Sequence, residues 1–157
     1  MKTNYLISNK YKTPGYVLFF LGITSGVFLF FAEYEYMPLE MPVFAIFNED
    51  GIFGDGGGWF KVITNGVADE LASIALIVGG LMAVFSKEKV EDEFIYKLRT
   101  DSLVWTIIVN YIVLLFAIIF IYEFTFFHVL VYHMFTPLIF FIIRFNFLKF
   151  KLRSHEE

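Results

Sequence analysis

Four apolar runs, each close to the length that crosses a bilayer, divide this chain at 15–33, 67–86, 102–122 and 125–148. A helix rises about 1.5 Å per residue, so roughly 20 apolar residues traverse a hydrocarbon core of about 30 Å. A chain of 157 residues that is 58% hydrophobic and 21% aromatic has too little polar surface to enclose four such runs in a water-soluble core. The expectation is an all-α membrane protein, one integral domain over 1–157 folded as a four-transmembrane-helix bundle with the lipid bilayer as its solvent. Lysines precede the first run, as in a signal peptide. The run is long, however, and leads into Glu33-Tyr34-Glu35 with no small-residue cleavage site, so it is read as a retained helix.

Charge then sets the orientation. Eleven of the twelve Lys and Arg lie before the first run, between the second and third, or around the end of the fourth; Lys61 alone lies elsewhere. Cations concentrate on the cytoplasmic side. That rule places both termini and the 87–101 segment inside (N-in, C-in) and the 34–65 loop outside. The outer loop is acidic and broken by Pro38 and Pro42, and it is read as a small hairpin or a dip into the interface. Its Asn48, Glu49, Asp50 and Asp55 offer oxygens without the spacing of an EF-hand loop, so an ordinary polar turn is the simpler reading.

The 87–101 segment is expected to be a cytoplasmic charged helix. Val90, Phe94 and Leu98 recur every four residues, while Lys89, Glu93, Lys97 and Asp101 alternate in sign along a second face. If it binds a partner, Glu91, Asp92, Glu93, Phe94, Leu98 and Arg99 would carry the contact. Small residues mark the expected helix packing: Gly22 and Gly26 on the first helix, and Ala72, Ala75, Gly79 and Ala83 on the second. Such residues let helix backbones approach closely in lipid. Asn65 is the expected N-cap of the second helix. Asp69 and Glu70 would sit in its first turn, where the helix dipole favours carboxylates; a proton or cation role is the alternative.

The candidates for intramembrane chemistry are Asn110 on the third helix and His128 and His133 on the fourth, with Asp69 and Glu70 at a helix end. Two His five residues apart point about 140° apart on a helix, so they cannot ligate one metal from one face. Pro137 is expected to kink the fourth helix. With no Cys, no phosphate loop, no H-E-x-x-H and no basic patch with interleaved aromatics, neither a cofactor, a metal site, an enzyme nor nucleic-acid binding is expected.

Two blocks, F-S-K-E-K-V-E-D-E-F-I-Y-K-L-R-T-D-S-L-V-W at 85–105 and H-M-F-T-P-L-I-F-F-I-I-R-F-N at 133–146, resemble a family of uncharacterised four-helix membrane proteins of Bacteroidetes-type bacteria. The D-E-F-x-x-x-L-R element is also similar to a weaker signature in small bacterial membrane proteins often encoded beside helix-turn-helix regulators. The resemblance implies a bacterial inner membrane and supplies no catalytic or binding residues. Two functions of different class follow. The first is a non-enzymatic interaction or regulatory protein that uses the 87–101 helix on a cytoplasmic protein. The second is an oligomeric channel or proton-coupled transporter that uses His133, Asn110, Asp69 and Glu70.

Overall fold

A computed structural model describes residues 5–32, 39–48 and 57–153, without the side chain of Arg153. Glu49, Asp50 and Asp55 lie outside the described residues. After a 3-10 turn at Asn9–Tyr11 come α1 (Lys12–Phe31), β1 (Glu40–Asn48), β2 (Gly58–Gly66), α2 (Ala68–Phe85), α3 (Glu93–Phe120), α4 (Glu123–His133) and α5 (Thr136–Arg153).

Helix α1 takes Pro14 into its first turn, where a missing N–H costs nothing because that group has no intrahelical acceptor. The helix then packs antiparallel on α2 at very short range, and glycine makes this possible. A methyl group on Gly79 would overlap the backbone of Leu18 and Phe19, and one on Gly22 would overlap the backbone of Leu76. Gly15 meets Gly79, Met82 and Ala83 in the same way. Gly26 has open space where a side chain would be, so the close contact uses Gly15 and Gly22, two turns apart, and not the Gly22–Gly26 pair.

Helix α5 closes over this pair. Phe19, Leu76, Ala83, Val84, Phe135, Phe141, Ile142 and Phe145 form the core, with Phe141 and Phe145 stacked at 5.6 Å. Helix α3 lies against α5, where the Arg144 guanidinium sits 5.2 Å from the centre of the Trp105 ring. Its burial is inverted relative to a water-soluble helix. The buried residues of α3 are Arg99, Ser102, Thr106 and Ala117, while Ile107, Ile112, Leu115 and Phe116 are exposed. The Ser102 and Thr106 hydroxyls donate to the carbonyls of Leu98 (2.8 Å) and Ser102 (2.7 Å), so each polar group is satisfied within its own helix.

Among the described residues, three helices are long and apolar enough to cross a membrane, and the bent pair α4 and α5 makes a fourth if it counts as one span. This pair replaces the continuous helix expected over 125–148. The two parts meet at 45° around Met134 and Phe135. Pro137 has no N–H to donate to the His133 carbonyl, and its ring disfavours helical geometry at the residue before it. The α3–α4 connection is Ile121 and Tyr122, two residues earlier than the 123–124 gap between the third and fourth apolar runs; Glu123, with a left-handed φ of 61°, opens α4 itself.

The described residues between α1 and α2 form an antiparallel ribbon, with Val43 opposite Ile63, Ala45 opposite Lys61 and Phe47 opposite Trp59. Asn65 belongs to β2. The cap position of α2 is Val67, and Asn65 instead donates to Glu70 Oε1 at 2.7 Å.

Candidate functional site at the charged end

The N-terminal segment, the α2–α3 connection and the end of α5 meet at one end of the bundle. Ile7 pairs in parallel with Ser86: its N–H donates to the Phe85 carbonyl at 2.9 Å and its carbonyl accepts from the Lys87 N–H at 3.0 Å. The Asn9 amide donates to the Lys87 carbonyl at 2.6 Å. These bonds tie the start of the connection to the N-terminal segment; residues 86–92 are not helical and bend at 89–90, and the helix expected from residue 87 begins only at Glu93. Asp92 then caps it, its carboxylate accepting from the Ile95 N–H at 2.8 Å.

Arg99 anchors the arrangement. Only 2% of its surface is exposed, so it faces the interior and not the surface where a partner contact was expected of it. Its Nη1 donates to the Val84 carbonyl at 2.5 Å; its Nη2 reaches the Ser86 carbonyl and both Glu91 carboxylate oxygens, each at 3.3 Å. The guanidinium also lies 5.1 Å from the centre of the Phe145 ring. The last carbonyls of a helix have no donor from their own helix and carry partial negative charge. One planar cation thus satisfies the end of α2, fixes the connection through Glu91 and rests on α5. Glu91 is committed inward as well, since it also accepts from the Glu88 N–H at 2.8 Å.

Glu88 forms a second junction. Its carboxylate pairs with Lys12 at the start of α1 and with Lys149 on α5, the latter at 3.1 Å. Burial by itself would raise the Glu88 carboxyl, but the hydrogen bonds and charges of Lys12 and Lys149 outweigh it and hold the group below its usual range. Beside this junction lies a cleft of about 570 Å³, lined by Lys12, Glu88, Lys89, Val90, Phe94 and Lys149 among others. Val90 is 72% exposed and Phe94 51% exposed at its margin.

Of the residues singled out for partner contact, Glu93 and Phe94 are therefore exposed, Asp92 is exposed but engaged as a cap, Leu98 packs against the core, and Glu91 and Arg99 face inward. Asp69 and Glu70 are exposed at the start of α2, at the opposite end of the bundle. His128 is exposed, whereas His133 is buried with no hydrogen-bond partner on either ring nitrogen. Asn110 is half-buried and its side-chain oxygen has no partner. Among the described residues, no three His, Asp or Glu side chains are grouped to hold a metal ion. Ala72, Gly79 and Ala83 are buried in the helix packing and Ala75 is half-buried. Sequence reasoning missed the Lys12–Glu88–Lys149 junction and the closeness of Gly15. The first depends on residues 61 and 76 positions apart, which no local pattern connects; Gly15, directly after Pro14 at the start of the first apolar run, belongs to no small-residue stripe in the sequence.

Comparison of the chain with protein-family models, with curated proteins and with solved structures finds no match.

Proposed function

We propose that this chain is a non-enzymatic integral membrane protein that crosses the bilayer four times and docks a cytoplasmic protein at its charged end. The inverted burial of α3 supports the membrane reading: polar Arg99, Ser102 and Thr106 inside with exposed Ile and Phe outside is stable only where the solvent is apolar. The cation distribution supports N-in and C-in, because Lys10, Lys12, Lys87, Lys149 and Lys151 belong to segments gathered at one end while Lys61 lies on the ribbon at the other. We further propose a bacterial inner membrane, which is what the resemblance at 85–105 and 133–146 implies.

The observation that carries the docking reading is the cleft itself. It opens between rigidly tied segments, and two large apolar side chains, Val90 and Phe94, stand exposed at its margin among charges. A partner segment with an apolar anchor fits such a site, where aromatic and aliphatic contacts ringed by polar groups give affinity. Crosslinking and pull-down from native membranes test it. Val90→Ser with Phe94→Ala is expected to lose a single co-purifying cytoplasmic protein while membrane insertion is unchanged; undiminished recovery overturns the reading. Charge reversal at Glu91 is a poor test, since it also breaks the Arg99 contact.

A second reading, an oligomeric channel or proton-coupled transporter, draws on one observation: buried His133 lacks partners for both ring nitrogens at the break of a bent helix pair. Broken helices and intramembrane ionisable residues mark ion pathways. It requires a pH-dependent flux in proteoliposomes that His133→Ala removes. Absence of flux across a range of ions sinks it.

A further inference from the structure

Arg144 is a cation set in an apolar stretch of surface. Ile143 and Phe147 beside it on α5 are exposed, as are Val104 and Trp105 on α3. The guanidinium lies 5.2 Å from the centre of the Trp105 ring, which keeps it at the seam between the two helices. Its Nε is buried with no hydrogen-bond partner, and none of the ion pairs found among the described residues includes it. An aromatic face offsets only part of the cost of taking a cation out of water. The remainder calls for an anion.

The protein supplies anions to its other inward-turned cations. Arg99 has Glu91, and Lys12 and Lys149 share Glu88. Neither apolar run that meets at Arg144, 102–122 or 125–148, contains an Asp or a Glu. Asp101, one turn before Trp105, is exposed and forms no ion pair with Arg144. Trp105 and Arg144 each lie about one turn inside its apolar run, at the end nearer the charged end of the bundle. In a spanning helix, an arginine at that depth extends its head towards the lipid phosphates. Its planar fork matches two phosphate oxygens at once, a geometry that a lysine ammonium lacks.

We infer that Arg144 and Trp105 form a site for the phosphate of an anionic phospholipid in the leaflet at the charged end. The guanidinium donates to the phosphate oxygens from its place on the indole, and the acyl chains lie along Val104, Ile143 and Phe147. This inference rests on the membrane reading above. A zwitterionic lipid brings its own cation with the phosphate and leaves the arginine charge unbalanced, whereas an anionic headgroup balances it. Basic pockets between spanning helices on the cytoplasmic side bind headgroups of this class.

The chain has two tryptophans, so Trp59→Phe leaves Trp105 as the sole reporter at the site. This variant is placed in phosphatidylcholine bilayers containing a minor fraction of lipid brominated in its acyl chains, either phosphatidylglycerol or phosphatidylcholine. Bromine quenches tryptophan at close range. Brominated phosphatidylglycerol is expected to quench Trp105 several-fold more than brominated phosphatidylcholine at the same fraction, and Arg144→Gln is expected to abolish that excess. Arg144→Lys keeps the charge without the fork, serves if the glutamine variant does not fold, and is expected to lower the excess. Equal quenching by the two lipids overturns the inference. An excess unchanged in the Arg144 variants overturns it in favour of a diffuse attraction to the cationic end. Loss of the excess on adding inorganic phosphate overturns the lipid as the source of the anion. Absence of quenching by either lipid would instead refute the spanning reading, and the inference with it.

Discussion

Arg99 gathers more of this molecule than any other side chain. It serves two carbonyls at the end of α2, a carboxylate in the connection and an aromatic ring on α5. Removing one member of a buried charged network leaves the others unpaired, at a cost of about 3–5 kcal/mol. Lysine cannot replace it, because a single ammonium lacks the planar fork that reaches Val84 and Glu91 together. Arg99→Lys is therefore expected to lower stability by about 2 kcal/mol and Arg99→Ala by about 3 or more, read by unfolding in mixed detergent micelles. Glu88 gives a pH dependence of definite sign. Its carboxyl is held below the ordinary value of 4.5, so its contribution is fully present above that pH and is lost as pH falls through the depressed value. Acid titration of stability should show this loss in the wild type and a shallower limb in Glu88→Gln.

At the scale of elements, the α1–α2 contact depends on missing side chains. Gly79→Ala must push α1 away, since the new methyl meets backbone and not a flexible side-chain end; overpacking of this kind costs about 1–3 kcal/mol. Gly26→Ala, with open space around it, should be neutral or stabilising by up to about 1 kcal/mol through helix propensity. Equal losses from the two substitutions would contradict the packing described. Periodicity marked both glycines alike. The offset between the antiparallel helices selects Gly15 and Gly22 and leaves Gly26 facing open space. The bend between α4 and α5 was legible as a Pro137 kink. Its extent, two helices at 45°, was not, because it also depends on how Phe135 and Phe141 enter the core formed by α1 and α2.

For the whole molecule, the shared end of three distant segments has a direct consequence. Single cysteines at Lys10, Lys87 and Lys151 should all react with an impermeant maleimide from one side of sealed vesicles, and one at Lys61 only from the other. A mixed pattern would contradict the N-in, C-in reading. The docking proposal depends on this placement, since Val90 and Phe94 belong to the same end.

The sequence alone was enough for four apolar segments, their approximate limits and the segregation of cations, because hydropathy and charge are local properties summed along the chain. It also marked the D-E-F-x-x-x-L-R element without showing what the element does. Only the tertiary structure assigns those roles. Asp92 starts a helix, Phe94 stands outside, Leu98 packs on the core, and Arg99 turns inward onto the Val84 and Ser86 carbonyls, beside the point where Ile7 pairs with Ser86. A charged residue in a charged segment reads as solvated until the end of the preceding helix, 13 to 15 residues back, turns its carbonyls onto it. That turn is a tertiary arrangement, which local patterns do not encode.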